Sequence, residues 1–126
     1  MKFVKDFFVY RAKAFRYALQ GIVTVVVSQP NMRIIAVAGV VAFLLGLLLD
    51  LTYLEWSFVF VAIFFIWMAE TFNSALEFLV DLVSPEFHPL AKKAKDAAAG
   101  AVLLAIILSL CLAALIMLPK FIALFS

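Results

Sequence analysis

The sequence predicts an all-α integral membrane protein, with an amphipathic surface helix at the N-terminus followed by three transmembrane helices. Hydrophobic residues make up 68% of the 126 residues, whereas roughly 45–50% is typical of a soluble domain. Three charge-free stretches set the predicted spans: residues 34–49, 56–69 and 97–119. We find no internal repeat or low-complexity tract, so residues 1–126 are expected to form a single membrane domain.

Residues 1–28 are expected to form the surface helix. A helical wheel places basic and polar residues on one side and aromatic and aliphatic residues on the other. The basic side contains Lys2, Lys5, Lys13 and Arg16, and the apolar side contains Phe3, Phe7, Phe8, Phe15 and Ile22. A helix of this kind lies in the membrane interface rather than crossing the bilayer. Pro30 then starts a new helix, because proline suits the first helical turn.

The three transmembrane helices are predicted at residues 31–51, 54–83 and 91–119, since a span needs about 20 residues. The second of these would be ~45 Å long, whereas the hydrocarbon core of a bilayer is ~30 Å thick. Its C-terminal part is therefore expected to reach the membrane interface. Pro85 and Pro89 lie in the loop that follows, where they end one helix and shape the start of the next.

The distribution of positive charge predicts the orientation. Of the ten lysine and arginine residues, nine fall on the side of the N-terminus and the 84–96 loop, and only Lys120 falls on the other side. Positively charged loops remain in the cytoplasm, so we expect a multi-pass protein of the inner (cytoplasmic) membrane with a cytoplasmic N-terminus. The net charge of only +2 gives no reason to expect a nucleic-acid partner.

A polar stripe interrupts the second span near its predicted cytoplasmic end. Glu70, Asn73, Ser74, Glu77 and Asp81 share a helical face ~100° wide. Carboxylates stacked in this way repel one another unless a cation or a cationic partner lies among them. Ionisable groups at membrane depth are candidates for function, so the stripe is the expected active region.

Basic residues are expected to lie beside this stripe, because the 84–88 loop turns the chain back sharply. Lys92, Lys93, Lys95 and Asp96 begin the third span. Carboxylates bind Mg²⁺ together with substrate phosphates, and lysine binds phosphate oxygens. The residues therefore predict a metal–phosphate site, although the chain has no glycine-rich phosphate-binding loop of the P-loop type and its single histidine, His88, excludes a multi-histidine metal site.

Two alternatives remain open at this point, an ion-conducting oligomer and a structural membrane subunit, since carboxylates in spans also mark conduction paths. The lysines from Lys92 to Lys95 favour the phosphate site, because a cation path has no need of positive charge at its mouth.

The run from Glu70 to Asp81 resembles the signature E-x-x-N-[ST]-[AS]-[ILV]-E-x-x-[IV]-D of bacterial membrane diacylglycerol kinases and undecaprenol kinases. Residues 88–102 and 15–22 resemble further segments of the same family. The resemblance implies a small membrane kinase that works as a homotrimer, binds ATP and Mg²⁺ on the cytoplasmic side, and phosphorylates a lipid alcohol that reaches the site from the bilayer.

The resemblance also implies roles for individual residues. Glu70 would be the general base, Asn73 would orient polar groups near the transferred phosphoryl group, and Glu77 would bind the metal. The implied nucleotide contacts are Lys95, Asp96, Lys13 and Gly21. No role is implied clearly for Asp81.

Two positions depart from the family pattern. Gln29 stands where the diacylglycerol kinases have a second metal-binding glutamate, so an amide would join Glu77 at the metal. Ile35 stands where many undecaprenol-type relatives have a histidine. The run from His88 to Val102 is closer to the undecaprenol branch, which makes undecaprenol the first expected substrate and diacylglycerol the second.

Overall fold

The computed structural model describes residues 2–125, which fold into four α-helices. These are α1 (Lys2–Ser28), α2 (Pro30–Leu48), α3 (Tyr53–Val83) and α4 (Pro89–Ala123). The all-α prediction is confirmed, and α2, α3 and α4 are each long and apolar enough to cross a membrane. The side chains of Lys2, Phe3 and Lys5, which were assigned to the two faces of the surface helix, lie outside the described residues.

Gln29 alone separates α1 from α2. Its backbone is extended, with φ −104° and ψ 114°, and Pro30 follows in the first turn of α2. Proline fits there because the first N–H groups of a helix have no partner within that helix. The Gln29 side chain makes no capping hydrogen bond to α2. It is therefore available for a contact elsewhere in the bundle.

The turn between α2 and α3 is fixed by its own side chains. α2 ends at Leu48, before the predicted boundary at residue 51, because Asp50 adopts a left-handed backbone with φ 49°. Aspartate tolerates this conformation better than most residues do. Thr52 and Glu55 then form a capping box, in which Thr52 N donates to Glu55 Oε2 at 2.7 Å and Glu55 N donates to Thr52 Oγ1 at 3.4 Å.

The pair α3 and α4 forms an antiparallel hairpin with the most extensive helix contact in the described chain. At its start, His88 caps α4, because its Nδ1 accepts from Leu90 N at 3.2 Å. α4 continues through Pro119 to Ala123, past the predicted end at residue 119. Lys120 Nζ lies 3.0 Å from Glu55 Oε2 and 3.1 Å from Asp50 O, so the last turns of α4 are anchored to the α2–α3 turn.

The apolar core lies at the same end of the bundle as this turn. Buried Leu49, Leu51, Val59 and Met117 form its centre. α2, α3 and α4 line a partly open apolar cavity of ≈ 270 Å³, which extends from Val59 and Met117 of this core to Ile66 and Trp67. These two residues are one turn of α3 before the polar stripe. The lining of this apolar space therefore reaches to within one helical turn of the polar stripe.

Candidate active site

The polar stripe of α3 is buried where it enters the bundle. Glu70, Asn73 and Ser74 are only 2%, 7% and 0% exposed, and they are the buried polar residues of the described chain. Ser74 Oγ donates to the backbone carbonyl of Glu70 at 2.9 Å, which satisfies the hydroxyl within the helix. Burial of a carboxylate is costly unless it is paired or hydrogen-bonded, so the surroundings of Glu70 are informative.

Two oxygen atoms of the stripe have no hydrogen-bond partner within the part of the chain that the structure describes. They are Glu70 Oε2 and Asn73 Oδ1, and both are fully buried. Leaving a buried polar atom unpaired costs about 1–3 kcal/mol. Native proteins accept such a cost rarely, and often at sites that receive a ligand. The pair of oxygens therefore marks the point where a donor group or a cation would be bound.

Glu77 lies one turn beyond Asn73 and is held by two amides. Asn73 Nδ2 donates to Glu77 Oε1 at 3.0 Å, and Gln29 Nε2 lies at the longer distance of 3.5 Å from Glu77 Oε2. The α1–α2 junction thus brings Gln29 to the stripe, although 48 residues separate it from Glu77. The two residues assigned to the metal by sequence, Gln29 and Glu77, are neighbours in the folded chain.

The outer end of the stripe meets the first turns of α4. Lys95 Nζ is 2.8 Å from Asp81 Oδ1, and Lys92 Nζ is 2.6 Å from Asp96 Oδ2. The lysines predicted to lie beside the stripe are therefore there. Burial therefore decreases along the polar stripe, from the buried Glu70, through the half-buried Glu77, to these exposed ion pairs.

Two of the residues assigned to the nucleotide, Lys13 and Gly21, do not join this cluster within a single chain. Lys13 and Gly21 are exposed on α1, and a Cβ atom added to Gly21 would meet nothing within 4 Å. α1 packs against α2 and α3, and no described contact joins it to α4, which carries Lys95 and Asp96.

A comparison of the sequence with protein families identifies the family of this chain. The sequence model described as prokaryotic diacylglycerol kinase matches residues 16–117. The chain belongs to the prokaryotic diacylglycerol kinase family. The match covers α2 and α3 entirely, most of α4, and the part of α1 from residue 16 onward.

Individual relatives of this kinase family agree. Over 108 residues, the chain is 39% identical to the undecaprenol kinase of Bacillus subtilis, covering 86% of this chain and 88% of the relative. It is 38% identical over 112 residues to a diacylglycerol kinase of Synechocystis, covering 88% of this chain and 64% of that protein. It is 30% identical over 97 residues to the diacylglycerol kinase of Escherichia coli K12, covering 77% and 80%.

The protein is therefore a multi-pass membrane protein and a lipid kinase, and membership of a kinase family implies that it uses ATP. The ion-conducting and structural alternatives are set aside on this ground. The family resemblance drawn from Glu70 to Asp81 is confirmed.

The residues of this lipid kinase fit a magnesium–nucleotide complex better than a metal bound by protein alone. Among the described residues, no group of three or more histidine, cysteine, aspartate or glutamate side chains could hold a metal. Mg²⁺ keeps several waters and binds one or two carboxylates together with substrate phosphates. The Glu77 carboxylate and the side-chain amide oxygen of the neighbouring Gln29 are oxygen donors of the kind that Mg²⁺ prefers. The unpartnered Asn73 Oδ1 lies on the same face of α3 as Glu77.

Sequence reasoning missed the specific pairings in this kinase site. The Lys92–Asp96 pair has the i, i+4 spacing of helical ion pairs, so the sequence did contain a signal for it. The Asp81–Lys95 pair joins two helices, and no sequence spacing predicts it. The family resemblance had already placed Gln29 with Glu77 at the metal, and in the structure Gln29 Nε2 lies 3.5 Å from Glu77 Oε2.

Proposed function

We propose that this lipid kinase transfers the γ-phosphoryl group of ATP to the hydroxyl of a membrane lipid at the cytoplasmic interface, with Glu70 as the general base. The observation that supports this most strongly is the buried Glu70 Oε2 atom, which has no hydrogen-bond partner among the described residues. A lipid hydroxyl would donate to this oxygen and remove the cost of leaving it unpaired. The apolar cavity lined by Ile66 and Trp67 gives the lipid chain an apolar path toward this position.

The chemistry assigned to the chain is proton transfer and positioning. Glu70 takes the hydroxyl proton while the lipid oxygen forms a bond to the γ-phosphorus and the bond between that phosphorus and the bridging oxygen of ADP breaks. The proton then passes from Glu70 to water as the products leave. Asn73 orients the polar groups around the phosphoryl group. Phosphoryl transfer depends mainly on positioning and charge neutralisation, so this small residue set is sufficient.

The nucleotide is proposed to bind next to Glu70, toward the cytoplasm. Glu77 and Gln29 would hold Mg²⁺, which neutralises phosphate charge when bound. Lys95 and Asp96 of α4 would contact the nucleotide, since lysine provides a mobile positive charge for phosphate oxygens. Lys13 and Gly21 of α1 would complete the nucleotide site. Because α1 does not touch α4 in one chain, we expect a neighbouring copy to supply them.

The assembly proposed for this function is a homotrimer in the inner membrane, with the N-terminus and the active site on the cytoplasmic side.

Every described side chain from Val4 to Thr24 is exposed in the single chain, including Phe7, Phe8 and Phe15. Aromatic side chains of this number are not stable in water. We therefore place α1 on the membrane surface, with its apolar face in the lipid and its basic face toward the headgroups.

Undecaprenol is proposed as the substrate and diacylglycerol as the second candidate. The run from His88 to Val102 resembles the undecaprenol branch, and the Bacillus subtilis relative carries that name. The Synechocystis and Escherichia coli relatives are named for diacylglycerol. An apolar cavity does not discriminate well between polyprenyl and acyl chains, since selectivity per apolar group is small.

The test is transfer of labelled γ-phosphate from ATP, with Mg²⁺, to lipid by the purified protein in mixed micelles. Undecaprenol and diacylglycerol are compared in parallel, for the wild type and for Glu70→Gln. Glu86→Gln, which removes an exposed carboxylate outside the site, is the matched control. Label in one lipid would establish both the reaction and the substrate. No label in either lipid would contradict the proposal.

A further inference from the structure

Asp81 has no part in the chemistry described above, yet it forms an ion pair between α3 and α4 at the polar end of the bundle. Asp81 Oδ1 accepts from Lys95 Nζ at 2.8 Å. The other described ion pair at this end, Lys92–Asp96, lies within α4. Among the described residues, Asp81–Lys95 is therefore the one ion pair at this end that joins an α4 lysine to α3, whereas Lys120–Glu55 joins the two helices at the opposite end.

The position of the pair relates it to the phosphate end of the site. Asp81 is one turn beyond Glu77 on the same face of α3, so its ion pair with Lys95 lies one helical turn from the carboxylate assigned to the metal. The side chain of Lys95 is 37% exposed and that of Asp81 is 63% exposed. Lys95 is therefore the less exposed member of the pair.

This arrangement constrains a flexible side chain. Lysine has a four-carbon stem, and its ammonium would otherwise sample many positions in water. An exposed ion pair contributes little to the stability of a protein. The physical effect of Asp81 is therefore on where Lys95 points, more than on whether the hairpin forms.

We propose that Asp81 is a positioning residue, which holds the Lys95 ammonium between α3 and α4, ready for the phosphates of ATP. The inference rests on the proposed function in one respect, the contact between Lys95 and the nucleotide. Asp81 does not touch the reacting atoms, so its loss weakens nucleotide binding and leaves the chemical step nearly unchanged.

The first experiment measures kcat and KM for ATP and for the lipid in Asp81→Asn. We expect KM for ATP to rise about 5-fold, the effect of losing one exposed charge pair, with kcat and the lipid KM changed less than about 2-fold. Asp81→Glu, which keeps the carboxylate, should recover most of the loss. The matched control is Glu86→Gln, because Glu86 makes no ion pair in the described chain. An Asp81→Asn protein that behaves as this control would overturn the inference.

A double-mutant cycle then tests whether Asp81 acts through Lys95. The dissociation constant of a fluorescent ATP analogue is measured for the wild type, Asp81→Asn, Lys95→Met and the double variant, with trimer mass and helix content as checks of folding. If Asp81 works through Lys95, its substitution has no further effect once Lys95 is absent. Additive losses would overturn the inference, and so would failure of Asp81→Asn to assemble, which would mean a structural role.

The failure of the proposed function looks different. In that case the wild-type protein labels neither lipid and does not bind the ATP analogue, and both proposals fall before any variant is compared. A wild-type protein that binds the analogue and labels a lipid, combined with an unaffected Asp81→Asn, removes only the role of Asp81.

Discussion

At the residue scale, Glu70 shows how a single buried atom can indicate function. Its carboxylate is 2% exposed, and one of its oxygens has no partner among the described residues. Asn73, one turn away, has the same property at Oδ1. A purely structural polar cluster would pair these atoms with each other or with neighbouring helices, because the interior strengthens every satisfied hydrogen bond. The unpaired oxygens favour a site that is completed by substrate.

The first prediction concerns Glu70→Gln. The amide keeps the size of the side chain but cannot accept the lipid proton, so we expect kcat to fall by ~10²–10⁴-fold, the usual contribution of a general base. The mass of the assembly should be unchanged. The measurement is labelled phosphate transfer together with the mass of the purified protein in detergent. Substantial turnover by the variant would exclude Glu70 as the base.

The second prediction concerns the amide at position 29. In Gln29→Glu a second carboxylate stands beside Glu77, so we expect half-maximal activity at a several-fold lower Mg²⁺ concentration. Without metal the two carboxylates repel each other, so thermal stability should fall, and added Mg²⁺ should restore it. Glu77→Ala serves as the opposite case and should need more Mg²⁺. Identical metal titrations for the wild type and both variants would remove positions 29 and 77 from the metal site.

At the scale of secondary-structure elements, Gly46 of α2 allows that helix to approach Trp56 of α3 closely. A Cβ atom at Gly46 would lie 2.7 Å from Trp56 Cη2. Trp56 stacks on Phe60 with ring centroids 5.5 Å apart, and it also contacts Phe43. The indole ring therefore has little freedom to move away.

The third prediction follows from this contact. Gly46→Ala should destabilise the protein by about 1–3 kcal/mol, the typical cost of overpacking, despite the higher helix propensity of alanine. Gly100→Ala is the matched control, because nothing lies within 4 Å of a Cβ atom there. Thermal unfolding of both variants in the same detergent provides the measurement. Equal stability of the two variants would show that α2 and α3 approach less closely than described.

At the scale of the whole molecule, one chain is a thin bundle. α4 makes most of its helix contacts with α3, and α1 makes none with α4 in the described chain. The residues assigned to the nucleotide are therefore divided between α1 and α4, two helices that do not meet. Oligomerisation would bring them together without changing the fold of either helix.

The fourth prediction is that the active protein is a trimer of this chain. We expect native mass spectrometry or light scattering, corrected for bound detergent, to give about three times the chain mass under conditions in which the lipid is phosphorylated. The physical reason is that Lys13 and Gly21 reach α4 only through a neighbouring copy. Full activity in a preparation that contains only monomer would contradict both the assembly and the shared site.

Part of this architecture could be predicted from local sequence, and part could not. The helical periodicity of Glu70, Asn73 and Glu77 is sufficient to place them on one face, because side-chain direction along a helix depends only on spacing. The ends of α2 and α4 differ from prediction because they depend on a left-handed Asp50 and on the anchoring of Lys120 to the α2–α3 turn. Neither feature follows from hydropathy.

The sequence by itself determined that the chain has three membrane-spanning helices, that a polar stripe lies near the end of α3, and that the chain belongs to a lipid kinase family. These properties follow from hydropathy, helical spacing and a contiguous motif, all of which are local along the chain. Only the tertiary structure decided that Asp81 holds Lys95, and that Glu70 Oε2 has no partner among the described residues. Each of these depends on how separate helices pack, and packing determines which polar atoms are satisfied and which are left for a ligand.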